Sequence, residues 1–311
     1  LFTPAGAAAP LRTLAAGIAA GGGAETAATL FGEGPFQRLL GGAAGGIGGM
    51  ALAVACLHRG IPFTLYERDN NFEAQSQGYG LTLQQASKAI EGFGIVSLDE
   101  GVISTRHLVH TTDGKVIGEW GVRKWIQPED VKTSSKRSNI HIARQSLRLA
   151  LLEQLGGNDA VQWGHQLIDF KQGKDIELHF QVDGKIKTAK ANLVVGADGI
   201  RSSVRKLLIG EDITPLRYLG CIVILGICPL KALEGVESEL LDSATVFQTA
   251  NGHERIYVMP YASDTVMWQL SFPMSEEDAK ALSAQGVQAL KQEACKRTQW
   301  HTPIPQILTA T

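Results

Sequence analysis

The stretch from Arg38 to Asp69, RLLGGAAGGIGGMALAVACLHRGIPFTLYERD, constrains the fold of this chain more than any other. Its order predicts a strand, a glycine-rich turn, a short apolar helix and a second strand that ends at an acidic residue. Glycines crowd the point where the first strand passes into the helix: Gly45, Gly46, Gly48 and Gly49. Because these residues lack a Cβ atom, the backbone there can approach a phosphate group closely.

This arrangement predicts a dinucleotide site. The free N–H groups at the start of the helix would face a pyrophosphate. Glu67, about 20 residues beyond the turn, stands where a dinucleotide-binding fold places the carboxylate that accepts ribose hydroxyls. Ala44 occupies the first glycine position of the G-x-G-x-x-G pattern, which is a departure from it. The alternative interpretation is a glycine-rich turn with a structural role only.

Composition and charge restrict the partners. The 311 residues are 44% hydrophobic and 19% charged, as in ordinary globular proteins. A net charge of −2 favours neither a nucleic acid nor an anionic membrane as partner, and no apolar run is long enough to span a bilayer. Four scattered cysteines without a C-x-x-C pair predict neither disulfides nor a metal site. We therefore expect a small-molecule substrate and a cytoplasmic location, and leave organellar targeting and oligomeric state open.

The length allows two domains. Residues 1–35 are rich in Ala and Gly, and we expect a poorly ordered leader outside the fold. Further along, a strand-like run over residues 102–112 precedes the turn pair Asp113-Gly114, and strand-like runs also flank the turn pairs Asp183-Gly184 and Asn251-Gly252. The first and last of these pairs predict hairpins, and the later strands predict an antiparallel sheet distinct from the parallel one. His107 and His110 would point to opposite faces of one predicted strand, so we expect no shared metal.

The second informative stretch is LVVGADGIRSSVR, residues 193–205. It predicts a buried strand, a tight glycine turn and a helix that starts near Ser203. Asp198 at this turn could accept hydrogen bonds from a ribose or an amide, and Arg201 and Arg205 could bind phosphates. A capped turn with two surface arginines is the alternative. Arg144 stands between a predicted strand and a predicted helix, where a cation could reach a ligand at the sheet edge.

Three segments together resemble a known family. GGIGGMALA followed by YERD, GADGIRSSVR, and IARQSLRLALLEQL are similar to motifs of the FAD-dependent aromatic hydroxylases, which include the p-hydroxybenzoate hydroxylase type, zeaxanthin epoxidase and the tetracycline-inactivating monooxygenases. The resemblance extends from about Phe36 to the end of the chain. The family's G-D-A-A-H-x-x-x-P-like turn has no counterpart before Thr311, so we expect a chain that lacks the C-terminal part.

The resemblance implies an α/β fold with a Rossmann-like FAD-binding domain, built on a parallel sheet, and an inserted antiparallel β-sheet substrate domain. The FAD-binding domain would comprise residues 36–105 and 132–214. The substrate domain would comprise residues 106–131 and 215–311, and the C-terminal flavin-binding part would be missing.

The resemblance also implies roles for single residues. The glycines of the first turn would cradle the FAD pyrophosphate, and Glu67 would hold the adenosine ribose. Arg68 and Arg144 would lie along the cofactor. Asp198 and Gly199 would lie beside the pyrophosphate and help NAD(P)H to engage. Gln248 would face the substrate, although an ordinary glutamine of the sheet is the alternative.

The activity implied is that of an FAD-dependent monooxygenase. NAD(P)H would reduce FAD, and one oxygen atom from O2 would pass to a small organic substrate of aromatic character. The cofactor carries this chemistry, so we assign no catalytic side chain. Two alternatives stay open: a flavin-dependent dehydrogenase or reductase on the same fold, and a truncated remnant without catalytic activity.

Overall fold

The computed structural model describes residues 13–14, 39–42, 46–75, 79–84, 86–95, 98, 100–122 and 139–311. It shows a mixed α/β chain that divides into two compact units. The first unit comprises Leu1–Ser76, Lys88–Ile95 and Leu147–Leu216. The second comprises Gln77–Ser87, Val96–Ser146 and Arg217–Thr311.

The strands of the described residues are, in chain order, β1 (Thr13–Leu14), β2 (Leu39–Gly42), β3 (Phe63–Tyr66), β4 (Gly80–Leu83), β5 (Val102–Ser104), β6 (Arg106–His110), β7 (Val116–Trp120), β8 (Asn139–Ala143), β9 (Val161–Gln162), β10 (Gln166–Gln172), β11 (Ile176–Val182), β12 (Lys185–Ala191), β13 (Leu193–Gly196), β14 (Cys221–Pro229), β15 (Thr245–Ala250), β16 (Arg255–Ala262) and β17 (Thr265–Pro273). The α-helices are α1 (Ile47–Leu57), α2 (Ala86–Gly92), α3 (Arg144–Gln154), α4 (Ser203–Ile209), α5 (Glu276–Ala284), α6 (Val287–Arg297) and α7 (Ile304–Ala310).

The first unit contains a five-stranded sheet in the order β1-β13-β2-β3-β9, and every neighbouring pair in it is parallel. Helix α1 connects β2 to β3, which confirms the predicted strand-helix-strand segment. The helix is rich in Ala and Leu, good helix formers, and it buries Met50, Ala53 and Val54. This sheet confirms the predicted Rossmann-like parallel architecture.

A second sheet of the first unit is antiparallel, in the order β10-β11-β12. Strand β11 buries alternate residues, among them Leu178 and Phe180, and the Phe180 ring stacks on Tyr66 at a centroid distance of 4.3 Å. The β11–β12 hairpin turns at Asp183 and Gly184, whose φ angles are +48° and +75°. Positive φ at both turn residues is typical of a tight hairpin, and Asp-Gly suits it.

The second unit is built on a six-stranded sheet in the order β14-β17-β16-β15-β6-β7. All neighbours are antiparallel except β15 and β6, which are parallel. One face of the sheet packs under α6 and α7 through an apolar core that includes Phe247, Trp268, Leu270, Ala294 and Ile307. The predicted hairpins at Asp113-Gly114 and Asn251-Gly252 are confirmed as the β6–β7 and β15–β16 connections.

A three-stranded antiparallel sheet, β4-β8-β5, also belongs to the second unit and contacts β16. The predicted single strand over residues 102–112 is wrong, because β5 and β6 join different sheets. Residues 77–87, 96–105 and 139–146 group with this unit, whereas we predicted them in the FAD-binding domain. Pairing between strands far apart in sequence is the cause. The functional assignment of the two units stays a prediction.

Of the predicted leader, residues 1–35, the structure describes only Thr13–Leu14, which extend the parallel sheet beside β13. The rest of this segment, Ala44 and Gly45 lie outside the described residues. None of the helices in the described part of the chain is long and apolar enough to cross a membrane.

Candidate active site

Three predicted site residues of the first unit follow neighbouring parallel strands. Gly46 comes after β2, Asp198 after β13 and Glu67 directly after β3. Strand β2 lies between the other two, with Gly42 opposite Gly196 and Gly41 opposite Leu65. Because the strands are parallel, their carboxyl ends share one edge of the sheet, which is where open α/β sheets bind ligands.

The N-terminus of α1 offers backbone donors at this edge that find no capping side chain among the described residues. Gly46 is the N-cap, with an extended conformation, and among the described residues no side chain caps the helix. The first turn carries no acidic residue. A Cβ atom built on Gly46 or Gly48 would meet no described atom within 4 Å, whereas Gly49 is buried. The fold therefore leaves open space before amides that can bind an anion.

Glu67 is the buried carboxylate of this edge, 6% exposed. Its backbone is held on both sides, since Glu67 N donates to Gln162 O at 3.0 Å and Glu67 O accepts from His165 N at 2.8 Å. One side-chain oxygen accepts from Asp69 N at 3.2 Å. Burial raises the pKa of Glu67, and the backbone hydrogen bonds oppose this. A polar ligand that donates hydrogen bonds to this carboxylate would compensate the cost of burial.

Arg148 is a buried arginine of the first unit that our sequence reasoning did not single out. It is 5% exposed, and its guanidinium lies over the Phe72 ring at 4.8 Å. Its positive charge also acts to lower the pKa of Glu67. The position of Arg148 between Leu147 and Leu151, on the apolar stripe of α3, was the available indication, because a buried arginine needs partners.

The turn after β13 is held by Asp198. This carboxylate accepts hydrogen bonds from the Ser202 hydroxyl and, at 3.1 Å, from Val204 N. The Ser202 hydroxyl caps α4 by accepting from Arg205 N at 2.9 Å. Gly199 has a φ of +75°, a conformation that favours glycine.

The arginines of the same turn differ in their surroundings. The Arg205 guanidinium folds back and donates to the carbonyl oxygens of Gly199 and Ile200. Arg201 is exposed. The structure thus shows the capped turn that we considered as the alternative, and the roles of Asp198 and Gly199 toward a ligand stay predictions.

The two predicted arginines along the cofactor lie in different units. Arg68 follows Glu67 in the first unit, and its side chain is 57% exposed, with Asp69 at 4.0 Å. Arg144 is the first residue of α3 and groups with the second unit. Its N–H donates to Tyr79 O at 3.1 Å, and its guanidinium lies 6.0 Å from the centre of the Tyr79 ring. The strand before Arg144 belongs to the small antiparallel sheet, not to the parallel sheet.

Gln248 lies in the second unit on the face of the six-stranded sheet opposite the helices. Cross-strand neighbours there form a polar row: Gln248 is opposite Tyr257, and Tyr257 is opposite Gln269. All three are partly exposed. The Gln248 side-chain oxygen accepts from Arg255 Nε at 2.8 Å, and the Arg255 guanidinium lies over the Tyr257 ring at 5.4 Å. This polar row can bind an organic molecule by hydrogen bonds and ring contacts.

The described residues contain no group of three or more His, Cys, Asp or Glu side chains that could hold a metal. The rings of His107 and His110 have different neighbours. His107 stacks on Trp120, whereas His110 lies 4.8 Å from the His301 ring.

Comparison with known proteins identifies relatives over most of this chain. A family model with the description "FAD binding domain" matches residues 42–310. The aurachin C monooxygenase/isomerase of Stigmatella aurantiaca is 26% identical over 270 residues, which cover 86% of this chain and 64% of that protein. This chain therefore spans less than two thirds of that relative's length.

Solved structures share the fold. The crystal structure of Klebsiella pneumoniae HpxO complexed with FAD and uric acid has a TM-score of 0.69 at 19% identity, covering 91% of this chain and 67% of that chain. The crystal structure of the tetracycline destructase Tet(51) has a TM-score of 0.57 at 18% identity, covering 89% of this chain and 68% of that chain. Both likenesses extend over nearly all of this chain.

Proposed function

Since the chain belongs to the FAD binding domain family, we propose that it is the flavin-binding and substrate-binding part of an FAD-dependent monooxygenase. One observation carries this proposal. The free amides of α1 and the buried Glu67 carboxylate follow neighbouring parallel strands, β2 and β3, at one sheet edge. This combination fits the diphosphate and the adenosine ribose of a dinucleotide.

The residues present fit FAD by their chemistry. The backbone amides of Gly48 and Gly49, in the first turn of α1, would donate to the diphosphate. The diphosphate would lie in the open space that a Cβ atom on Gly48 would otherwise occupy. The Glu67 carboxylate would accept from the ribose hydroxyls. Burial raises the pKa of this carboxyl, and the positive charge of Arg148 acts in the opposite direction. Gly45 and Arg68, together with Asp198 and Gly199, are proposed to complete the cradle.

When bound, FAD supplies the redox and oxygen chemistry, and the chain supplies binding and orientation. We propose NAD(P)H as the reductant and the transfer of one oxygen atom from O2 to a small organic substrate of aromatic character. The names of the relatives support the transfer of oxygen to a small organic molecule, since the aurachin C relative is a monooxygenase and HpxO was crystallised with uric acid.

We place the substrate on the polar row of the second unit. Gln248 and Gln269 offer amide donors and acceptors, and Tyr257 offers a ring and a phenol, on a face that remains partly exposed. Aromatic and amide side chains together fix the orientation of a flat, polar molecule. Arg144 is proposed to lie toward the flavin end of the cofactor.

A ligand comparison tests the cofactor. We expect FAD to raise the thermal midpoint of the purified chain and to lose fluorescence on binding, whereas FMN should do neither, because it lacks the adenosine that Glu67 would bind. Equal effects of FAD and FMN would contradict the assignment of Glu67. No binding of either would favour a remnant without cofactor.

An activity measurement tests the reaction class. With FAD, NADPH or NADH, and uric acid as the probe, we expect consumption of O2 together with the reductant and formation of an oxygenated product. Oxidation of the reductant without O2 incorporation would instead favour a dehydrogenase or reductase. Labelled O2 and mass spectrometry of the product separate these results.

A further inference from the structure

Strand β14 forms one edge of the six-stranded sheet in the second unit. It is nine residues long and pairs with β17 on one side, whereas no described strand pairs with it on the other side. Its register with β17 runs without a shift from Cys221, opposite Pro273, to Pro229, opposite Thr265. A regular edge of this length offers a row of backbone donors and acceptors to a further strand.

Two flanking hydrogen bonds show which backbone groups of β14 point outward. Met274 N donates to Gly220 O at 3.1 Å, and Leu230 N donates to Asp264 O at 2.8 Å. Hydrogen-bonded pairs of an antiparallel ladder recur at every second residue, so the even-numbered residues of β14 bond to β17. The odd-numbered residues from 221 to 229 therefore direct their C=O groups away from the sheet. All of them except Pro229 direct an N–H group the same way.

The sequence gives this edge no charge that would oppose association. From Leu219 to Leu230 the chain contains no charged residue. Val223 and Leu225, on the face of the sheet opposite the helices, are 49% and 42% exposed, and Leu219 just before the strand is 87% exposed. Edge strands of natural proteins are usually protected by lysine, by a bulge or by short length. Exposed apolar side chains beside outward-facing backbone groups thus indicate that another strand covers β14.

A second copy of the same strand fits this edge. Antiparallel self-pairing about Leu225 uses the whole strand, because Leu225 then faces Leu225, and Val223 faces Ile227, of the second copy. Odd-numbered residues face odd-numbered residues, as the bonded pairs of the ladder require. No like charges meet, since the strand has none. In contrast, the edge strand β12 carries three lysines, so self-pairing there would bring like charges together.

We propose that two copies of this chain associate through β14, by antiparallel pairing about a two-fold axis at Leu225. The six-stranded sheets of the two copies then form one continuous sheet. The pairing satisfies outward N–H and C=O groups of both strands and covers apolar surface at Val223 and Leu225. This interface involves only residues of the second unit, and it requires neither flavin nor substrate. Because each copy contributes one strand, we expect a weak dimer with a dissociation constant of roughly 1–100 μM.

Sedimentation velocity of the purified chain, from about 1 to 200 μM, measures this association. We expect the dimer fraction to rise with concentration. Leu225→Pro should raise the dissociation constant by about tenfold or more, because it removes the central outward N–H from each copy and no hydrogen bond to β17. Leu225→Val keeps this N–H and is the matched control, so its dissociation constant should stay within about threefold of the parent's. A parent chain that stays monomeric over this range, or equal dimerisation of the parent and Leu225→Pro, would overturn the proposal.

A disulfide test decides the question if Leu225→Pro fails to fold. In the proposed dimer the two Cα atoms at position 225 lie about 5.5 Å apart, a separation that a disulfide can bridge. We therefore expect Leu225→Cys to form a covalent dimer in an oxidising glutathione buffer. The exposed Cys221 of the parent is the control. It would face Pro229 of the second copy and lie about 27 Å from the other Cys221, so the parent should not cross-link. The absence of a covalent dimer in Leu225→Cys, or equal cross-linking of the parent, would overturn the pairing about Leu225.

Discussion

Replacement of Gly48 by Ala separates the needs of the fold from those of the cofactor. Gly48 lies in the first turn of α1 and is exposed, and a Cβ atom there would meet no described atom within 4 Å. The fold therefore has no steric need for glycine at this position. Because Ala is the better helix former, we expect Gly48→Ala to stabilise the chain without cofactor by about 0.5–1 kcal/mol.

The same methyl group should weaken FAD binding. It would occupy the open space before the first-turn amides, where we place the diphosphate. Loss of one hydrogen bond to a charged group costs about 1.5–3 kcal/mol, which corresponds to a dissociation constant larger by about 10- to 150-fold. Stability and affinity should thus change in opposite directions.

Urea denaturation without FAD and fluorescence titration with FAD measure the two effects. Gly92→Ala is the matched control, because Gly92 ends helix α2 and a Cβ there would also meet no described atom within 4 Å. We expect this control to leave the FAD affinity unchanged. Unaltered FAD affinity in Gly48→Ala would refute the placement of the diphosphate at α1.

Two further predictions concern substitutions in the described part of the chain, the first at two glycines and the second at Glu67. A Cβ on Gly196 would lie 2.6 Å from Val204 Cβ, a buried and stiff neighbour, so Gly196→Ala should lower the free energy of unfolding by about 1–3 kcal/mol. Gly80→Ala should cost less, because the nearest atom is the flexible end of Met259, and equal losses in urea denaturation would contradict this reasoning. Burial raises the pKa of Glu67, so the folded chain binds the proton of this carboxyl more tightly than the unfolded chain does. This adds to the free energy of unfolding at acidic pH, and the contribution is lost as the pH rises through the raised pKa. Glu67→Gln should therefore show a smaller fall in unfolding free energy from acidic to neutral pH, and an unchanged pH dependence would show that Glu67 does not titrate in this way.

Local turn chemistry made parts of the fold predictable from the sequence. Asp-Gly and Asn-Gly pairs accept the positive φ angles of tight hairpins, and three such turns connect the strands that we expected. Ser275 also caps α5, since its hydroxyl accepts from Asp278 N at 3.1 Å. These features depend on neighbouring residues only, which a sequence displays directly.

Features that depend on distant pairing were not predictable in the same way. Nothing near residue 104 indicates that the chain changes sheet between β5 and β6, because the partner of β5 is β8 and the partner of β6 is β15. The side chains hydrogen-bonded to His141 likewise come from two segments distant in sequence, Thr82 on β4 and Ser104 on β5. For Arg148, the apolar neighbours on α3 are visible in the sequence, whereas Phe72, whose ring lies 4.8 Å from the guanidinium, comes from a distant segment.

The parallel pairing of β6 with β15 has a consequence for biosynthesis. During translation β6 and β7 emerge early, but β15 follows only after β13 and α4 have been made. Until then the β6 edge exposes unpaired backbone donors and acceptors, which are a template for association with other chains. The growing polypeptide must therefore protect one edge of a nascent hairpin for much of its synthesis, and conditions that slow elongation should favour aggregation.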